Sequence, residues 1–229
     1  MKAIRFILIS LMTLCVLAAC VSKSKYVGLE GELATTQDQV EAKNREIKEL
    51  NDKLKAREDQ IAEMEKELKE KVEVIDEMSS TRKSIEANLR DQITSKQVRL
   101  ETLEGKLKIT FVDKILFNSG SAQVNQEGQQ TLLSLADTLK QEPNQTIVVE
   151  GHTDSVGVGQ SLQKVFPTNW ELSTARATAV VRFLQDKGGI EPERLSAVGY
   201  SYYKPVAENE TEEGRAQNRR IEIILVPPR

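Results

Sequence analysis

The segment Gly151–Ala177 holds the residue types most able to do chemistry: the only histidine, the only tryptophan and an arginine inside an apolar helical pattern. Arg176 falls between Val180 and Phe183 on a helical wheel, on the side that faces the core. A buried guanidinium needs a counter-charge, because an unpaired buried charge is costly. Asp154, at the end of a predicted strand, is the obvious partner. The two residues predict either a buried ion pair or a pair of groups that hold the opposite charges of a zwitterionic ligand.

A catalytic role for the same segment is less well supported. His152 and Asp154 lie two positions apart, and a strand would separate them by about 6.6 Å. At that distance the carboxylate does not orient the imidazole. We therefore interpret His152 as a structural hydrogen-bonding residue and Trp170 as packing at the start of a helix. One histidine without a retained thiol does not make a metal cluster, so we expect no enzyme, no metal and no cofactor.

Residues 1–19 have the composition of a secretory signal, with a basic start and an apolar run. The run, Phe6–Ala19, is shorter than the roughly 20 residues that a membrane-spanning helix needs. The stretch Leu17–Cys20 resembles the lipobox of bacterial lipoproteins, which implies cleavage before Cys20 and acylation of that residue, with palmitate as a typical chain. Several acyl chains make a stable anchor. The alternative is an ordinary signal peptide with a chance cysteine.

The charge of the chain limits its partners. The formal net charge is −3, and removal of Lys2 and Arg5 with the signal makes the remaining chain more acidic. Arg219 and Arg220 are too few to form a basic patch. A mildly acidic protein without a basic cluster is a poor candidate for nucleic-acid binding, so we expect no nucleic-acid partner.

Residues 32–104 contain no glycine and no proline, and apolar residues recur there every seven positions. This spacing predicts a long α-helical coiled coil that joins several copies of the chain. A single charged helix and a partly disordered linker are the alternatives. A second seam, offset by four residues, continues the pattern. The first seam comprises Leu33, Val40, Ile47, Leu54, Ile61, Leu68 and Ile75, and the second Leu89, Ile93, Leu100, Leu103 and Leu107.

From residue 106 onward the pattern changes to short strands and two helices. Strands are predicted at 107–117, 146–150, 195–200 and 221–226, and helices at 124–139 and 171–187. Thr168 and Glu171 have the spacing of a capping box at the start of the second helix. The order βαβαββ predicts an α/β domain, an α+β sandwich with helices packed on a mixed four-stranded sheet.

Four motifs in this domain occur together in a fixed order: Gly151–Asp154, Asn169–Ala177, Gly199–Tyr200 and Gly214–Ile221. With them, the chain from about residue 109 to 226 resembles the OmpA-like peptidoglycan-binding domain. Porin tails, Pal-type lipoproteins and flagellar MotB proteins share that domain.

The resemblance implies non-covalent binding to the peptide stem of peptidoglycan. In that family the matched aspartate takes the ammonium of the diaminopimelate side chain and the matched arginine takes its carboxylate. Carried over, these residues are Asp154 and Arg176. A planar guanidinium suits this task because it can bind a carboxylate in a bidentate manner. The resemblance places the remaining pocket residues at Thr153, Asn169, Leu172 and Arg219.

We therefore expect a lipoprotein of a Gram-negative envelope with three parts: a signal peptide (1–19), a lipidated N-terminus with a coiled-coil spacer (20–105) and an OmpA-like domain (106–229). It would tether the outer membrane to the cell wall and face the periplasm. Val21 after the cysteine resembles the outer-membrane sorting signal of enteric bacteria. The alternatives are a MotB-like stator that anchors the inner membrane to the wall, and a coiled-coil scaffold of an envelope complex.

Overall fold

The computed structural model describes residues 23–227. The predicted signal peptide and the predicted lipidation site, Cys20, lie outside these residues. Contacts divide the chain into two compact units, Met1–Leu68 and Lys69–Arg229. Within the described part of the chain, no helix is long and apolar enough to cross a membrane.

Helix α1 spans Lys23–Asn88 and contains all the described residues of the first unit. The predicted long helix is confirmed. Charged pairs one turn apart, such as Glu49 and Lys53 at 2.6 Å, support it along its surface. All seven residues of the first heptad seam are exposed in the single chain, by 53–63%. The predicted coiled coil, which would cover this seam, stays a prediction.

The second unit is built on a five-stranded mixed sheet in the order β1-β2-β5-β3-β4. Only β3 and β4 pair in parallel, and the other neighbours are antiparallel. The predicted mixed sheet with packed helices is confirmed, but it has one strand more than expected. The strands are β1 (Val98–Leu103), β2 (Lys106–Val112), β3 (Thr146–His152), β4 (Leu195–Gly199) and β5 (Arg220–Val226).

The additional strand comes from the region predicted to continue the coiled coil. Helix α1 ends at Asn88, and a short helix α2 (Arg90–Thr94) leads into β1. Strands β1 and β2 then form a hairpin whose two turn residues, Glu104 and Gly105, both have positive φ, as a two-residue primed turn requires. The second heptad seam is therefore wrong: Leu89 is a core residue and Leu100 lies in β1.

The predicted first strand, 107–117, is too long. Strand β2 ends at Val112 and is followed by one helical turn, α3 (Asp113–Leu116). Ile115 and Phe117 are fully buried, as the alternation required, but the helical turn brings Leu116 inward as well. The alternation of apolar residues in the sequence does not distinguish a continuous strand from a strand followed by one helical turn.

The remaining helices are α4 (Gln126–Leu139), α5 (Gln160–Gln163), α6 (Asn169–Asp186) and α7 (Glu212–Asn218). Helices α4 and α6 pack on the sheet, and the end of α1 contributes Met78 and Ile85 to the same core. The sheet residues of the core alternate along each strand: Leu107, Ile109, Phe111, Ile147, Val149, Ile221, Ile223 and Leu225.

Candidate ligand-binding site

Helix α6 begins where the sequence predicted, because Thr168 caps it. The Thr168 hydroxyl accepts a hydrogen bond from the Trp170 amide at 3.1 Å, and Glu171 accepts one from the Thr168 amide at 2.8 Å. The predicted capping box is therefore confirmed. Farther along the helix, Arg176 is only 5% exposed, so its predicted core-facing position is also confirmed.

The guanidinium of Arg176 pairs with Asp113 and not with Asp154. Its Nη1 lies 2.9 Å from Oδ1 of Asp113, and its Nε donates to the carbonyl of Ser121 at 3.1 Å. The Phe117 ring lies 5.1 Å from its Cζ, within cation–π range. The direct Asp154–Arg176 ion pair, one of the two alternatives from the sequence, does not form, because α3 places a nearer carboxylate beside α6.

Asp154 follows the end of β3. It pairs with Arg219, the residue that separates α7 from β5 in the chain. Oδ2 of Asp154 accepts from Nη1 of Arg219 at 2.6 Å, and Oδ1 accepts from the amide of Val156 at 3.0 Å. Nη2 of Arg219 donates to Glu212 at 2.7 Å. Asp154 is only 7% exposed. Arg219, predicted as a wall of the pocket, is therefore a direct partner of Asp154.

Asp113, Asp154, Arg176 and Arg219 form what we call the charged cluster. Burial raises the pKa of Asp113, an effect that Arg176 and Arg219 oppose and Asp154 reinforces. Burial also lowers the pKa of Arg176, opposed by Asp113 and Asp154 and reinforced by Arg219. Each of the four groups thus lies within electrostatic range of the others. The two carboxylates and two guanidiniums balance one another, and Glu212, which accepts from Arg219 at 2.7 Å, adds a negative charge beside them.

The other predicted pocket residues, Thr153, Asn169 and Leu172, are buried. Asn169 donates to the carbonyls of Asp154, at 3.3 Å, and Val156, at 2.9 Å. The Thr153 hydroxyl donates to the Asp154 carbonyl at 3.0 Å. Leu172 is buried one turn into α6. These contacts fix the backbone that carries the Asp154 carboxylate, while direct contact of the three residues with a ligand stays a prediction.

A recess of about 320 Å³ opens beside the cluster. Asp113 and Arg219 contribute to its wall, whereas Asp154 and Arg176 do not line it. Sequence reasoning missed Asp113 and Glu212 as members of this region. The sequence feature that could have indicated Asp113 is an acidic residue between two apolar runs, within the predicted strand 107–117. The complete lining is Val112, Asp113, Lys114, Glu212, Glu213, Ala216 and Arg219.

His152 differs from its predicted role. Neither ring nitrogen has a hydrogen-bond partner among the described residues, and Nε2 lies 3.7 Å from Glu150. The imidazole stacks on Tyr200 with ring centroids 5.4 Å apart. Glu150, His152 and Glu222 each have an atom that could bind a metal ion, and these three atoms lie within 4.8 Å of one another. Glu222, however, already forms an ion pair with Nε of Arg220 at 2.7 Å. The expectation that no metal binds stays a prediction.

Burial of Asp113 makes the stability of the domain depend on pH. Because its pKa is raised on folding, its contribution to the free energy of unfolding is greatest below pH 3.8 and is lost as the pH rises through the folded-state pKa. Asp113→Asn removes this term. The stability of the variant relative to the original chain should therefore increase from pH 3 to pH 7, in urea denaturation at several pH values.

A matched control for this experiment is Asp137→Asn, which removes one exposed carboxylate from α4. If the difference in stability between Asp113→Asn and the original chain stayed constant over the whole pH range, the burial cost assigned to Asp113 would be wrong.

Comparison with known proteins agrees with the resemblance seen in the motifs. Residues 116–219 match the OmpA family. Motility protein B of Bacillus subtilis (strain 168) is 32% identical over 148 residues, which cover 65% of this chain and 56% of that protein. "Probable lipoprotein YiaD" of Escherichia coli (strain K12) is 35% identical over 142 residues, 62% of this chain and 61% of that protein.

A solved structure described as the cell wall anchor of the T6SS from Pseudomonas aeruginosa is similar in fold and sequence. It has a TM-score of 0.57 and 36% identity, and the match covers 62% of this chain and 96% of that one. The chain thus spans a little over half the length of the two curated relatives quoted above, but nearly all of this solved domain.

Proposed function

Because the C-terminal domain of this chain belongs to the OmpA family, we propose that it binds peptidoglycan non-covalently and clamps the diaminopimelate of the peptide stem at the charged cluster. The observation that carries the proposal is that groups of both charges lie side by side in that cluster. Asp113 pairs with Arg176, and Asp154 pairs with Arg219.

A largely buried site in which carboxylates and guanidiniums lie side by side suits a zwitterion. The free end of meso-diaminopimelate carries an ammonium and a carboxylate on one carbon, so its binding adds no net charge to the site. A ligand with a single charge would leave one charge buried without compensation, at a cost of several kcal/mol. In the proposed complex Asp154 accepts the ammonium and Arg176 binds the carboxylate, in competition with Asp113.

The surrounding residues support this clamp. Arg219 holds one oxygen of Asp154, which keeps the carboxylate oriented. Thr153 and Asn169 hold the backbone that carries it, and Leu172 would contact the methylene chain of diaminopimelate. Rigid support of this kind reduces the entropy lost on binding.

The test uses the full chain, purified in detergent, and insoluble sacculi of two chemistries. We expect the chain to sediment with sacculi that contain diaminopimelate, and to be released by free meso-diaminopimelate. It should not sediment with sacculi that carry lysine at that position, because lysine lacks the second carboxylate. Equal sedimentation with both kinds, or with neither, would contradict the proposed clamp.

The anchoring of the chain forms a second part of the proposal. A lipid on Cys20 would hold the N-terminus in the outer membrane, and the likeness to "Probable lipoprotein YiaD" supports the lipid anchor. The likeness to Motility protein B supports the alternative, a wall anchor of the inner membrane. Mass spectrometry of the N-terminal peptide from separated membranes distinguishes them, since only the first arrangement yields acylated Cys20 in the outer membrane.

The exposed seam of α1 supports self-association of the chain. Seven apolar side chains, one in each heptad, are exposed to solvent on one side of the helix, which is the pattern of a coiled-coil interface. A second copy of the same chain would cover these side chains. Several linked domains would then engage several peptide stems, which increases the overall strength of attachment.

A further inference from the structure

Three aromatic rings form a continuous row on the surface of the second unit. Trp170, in the first turn of α6, stacks on Tyr203 with ring centroids 5.3 Å apart. Tyr203 stacks in turn on Tyr202 at 4.4 Å. The residues are 48%, 59% and 36% exposed, in the order Trp170, Tyr203 and Tyr202. We call these three residues the aromatic shelf.

The shelf does not belong to the hydrophobic core, which contains none of its members. The sequence-based interpretation of Trp170 as packing at the helix start is therefore incomplete, since nearly half of the residue faces solvent. Contiguous exposed apolar surface of this kind marks sites of interaction. Tyrosine and tryptophan are also the side chains that combine an apolar face with a polar edge.

The loop that carries the two tyrosines is held firmly at both ends. At its start, Ser201 is buried, and its amide donates to the Ser173 hydroxyl at 3.0 Å. At its end, the fully buried side chain of Asn218 accepts from the amides of Val206 and Ala207, at 2.8 and 3.0 Å. The shelf is therefore preorganised, which lowers the entropic cost of binding.

The shelf is linked directly to the residues around Asp154. The carbonyl of Ser201, next to Tyr202, accepts from the amide of Thr153 at 2.9 Å. On the other side, Asn169 precedes Trp170 and donates to the Asp154 carbonyl. Both sides of the shelf thus connect to the backbone that presents the Asp154 carboxylate.

We propose that the aromatic shelf binds the sugar rings of the glycan strand whose peptide stem is clamped at the charged cluster. This inference rests on the proposed function and deepens it. Pyranose rings present an apolar face of C–H groups that stacks on aromatic rings, with hydroxyls at the edge. Tyr202 and Tyr203, whose hydroxyls lie 3.2 Å apart, offer both the apolar faces and the polar groups that such a ligand requires.

The dimensions of peptidoglycan fit this arrangement. In the peptide stem, two residues and a lactyl group separate the diaminopimelate from the sugar. An extended chain spans about 3.3–3.6 Å per residue, so the sugar lies roughly 10 Å from the clamped residue. A ligand anchored at Asp154 can therefore extend its first sugar ring toward the shelf, whose neighbours Asn169 and Ser201 bond to the backbone at Asp154 and Thr153.

The experiment compares two soluble ligands by calorimetry on the full chain. One is the disaccharide–tripeptide released from sacculi by a muramidase, and the other is the same tripeptide without sugars. The original chain should bind the disaccharide form about tenfold more tightly. Trp170→Ala and Tyr203→Ala should each remove most of this advantage and leave the affinity for the free tripeptide unchanged. Tyr26→Ala, an exposed tyrosine on α1, is the matched control and should change neither affinity.

The possible contrary results have different meanings. Equal affinity of the original chain for the two ligands would overturn the role of the shelf while the peptide clamp remained intact. A loss of tripeptide binding in both shelf variants would also overturn it, because the rings would then only support the fold. If the original chain bound neither ligand, the clamp would be wrong and the shelf proposal would be rejected with it.

Discussion

Replacing Asp154 with asparagine is expected to weaken sedimentation with diaminopimelate-containing sacculi by about 30-fold or more. Asparagine has nearly the shape of aspartate. Its side-chain oxygen can still accept the hydrogen bond that the Val156 amide donates to the carboxylate at 3.0 Å. It lacks the charge that pairs with Arg219 at 2.6 Å and that would bind the ligand ammonium. Loss of one partner from a buried charge pair costs about 2 kcal/mol or more, which corresponds to that factor.

Arg176→Lys should give a smaller loss, about tenfold. Lysine keeps a positive charge near Asp113, so the buried carboxylate retains a partner. It loses the planar fork that binds a carboxylate in a bidentate manner and the Nε–H that reaches the Ser121 carbonyl. We therefore expect Asp154→Asn to weaken sedimentation more than Arg176→Lys does.

Asp137→Asn on α4 controls for loss of one negative charge and should sediment like the original chain. Circular dichroism establishes that each variant is folded. If Asp154→Asn sedimented as well as the original chain, the charged cluster would be a structural network and the ligand would bind elsewhere.

Gly151→Ala is expected to destabilise the second unit by about 3 kcal/mol. A Cβ at this position would overlap the carbonyl oxygen of Ser173 and lie 2.9 Å from its carbonyl carbon. The obstacle is the backbone of α6, so no side-chain rotation relieves it. Gly199 opposes Gly151 in the neighbouring strand and lies equally close to α6, where a Cβ would be 2.6 Å from the Thr174 amide nitrogen. The contact of β3 and β4 with α6 is thus backbone against backbone.

The measurement is urea denaturation followed by the fluorescence of Trp170, which reports on this unit because it is the only tryptophan. Gly157→Ala is the control: nothing lies within 4 Å of the Cβ it would add, so its midpoint should change little. A Gly151→Ala variant as stable as Gly157→Ala would show that α6 can move away from the sheet. The ligand affinity of any folded Gly151→Ala protein should also fall, because α6 carries both Asn169 and Arg176.

The features that the sequence predicted correctly depend on local contacts. Thr168 and Glu171 are three residues apart, so the capping box and the start of α6 follow from spacing alone. The burial of Arg176 follows from the helical period in the same way. The motifs of the family singled out Asp154 and Arg219, which pair in the structure, and their role toward a ligand stays a prediction.

The features that the sequence did not predict depend on contacts between distant segments. Both Asp113 and Asp154 are acidic residues at strand ends, and only the position of α3 decides which of them pairs with Arg176. Leu100 and Leu103 are three apart, which is the spacing of a helical seam, whereas in β1 they lie on opposite faces of the strand. The primed turn at Glu104 and Gly105 and the pairing with β2 decide in favour of the strand.

The short ion pairs of the charged cluster have a consequence for how attachment would respond to the ionic strength of the medium. They join atoms 2.6 and 2.9 Å apart, well inside the screening length of about 8 Å in 0.15 M salt. Dissolved ions weaken buried and partly buried pairs much less than they weaken exposed charges that lie farther apart. A wall anchor that holds through contacts of this kind would remain attached when the salinity of the surroundings changes.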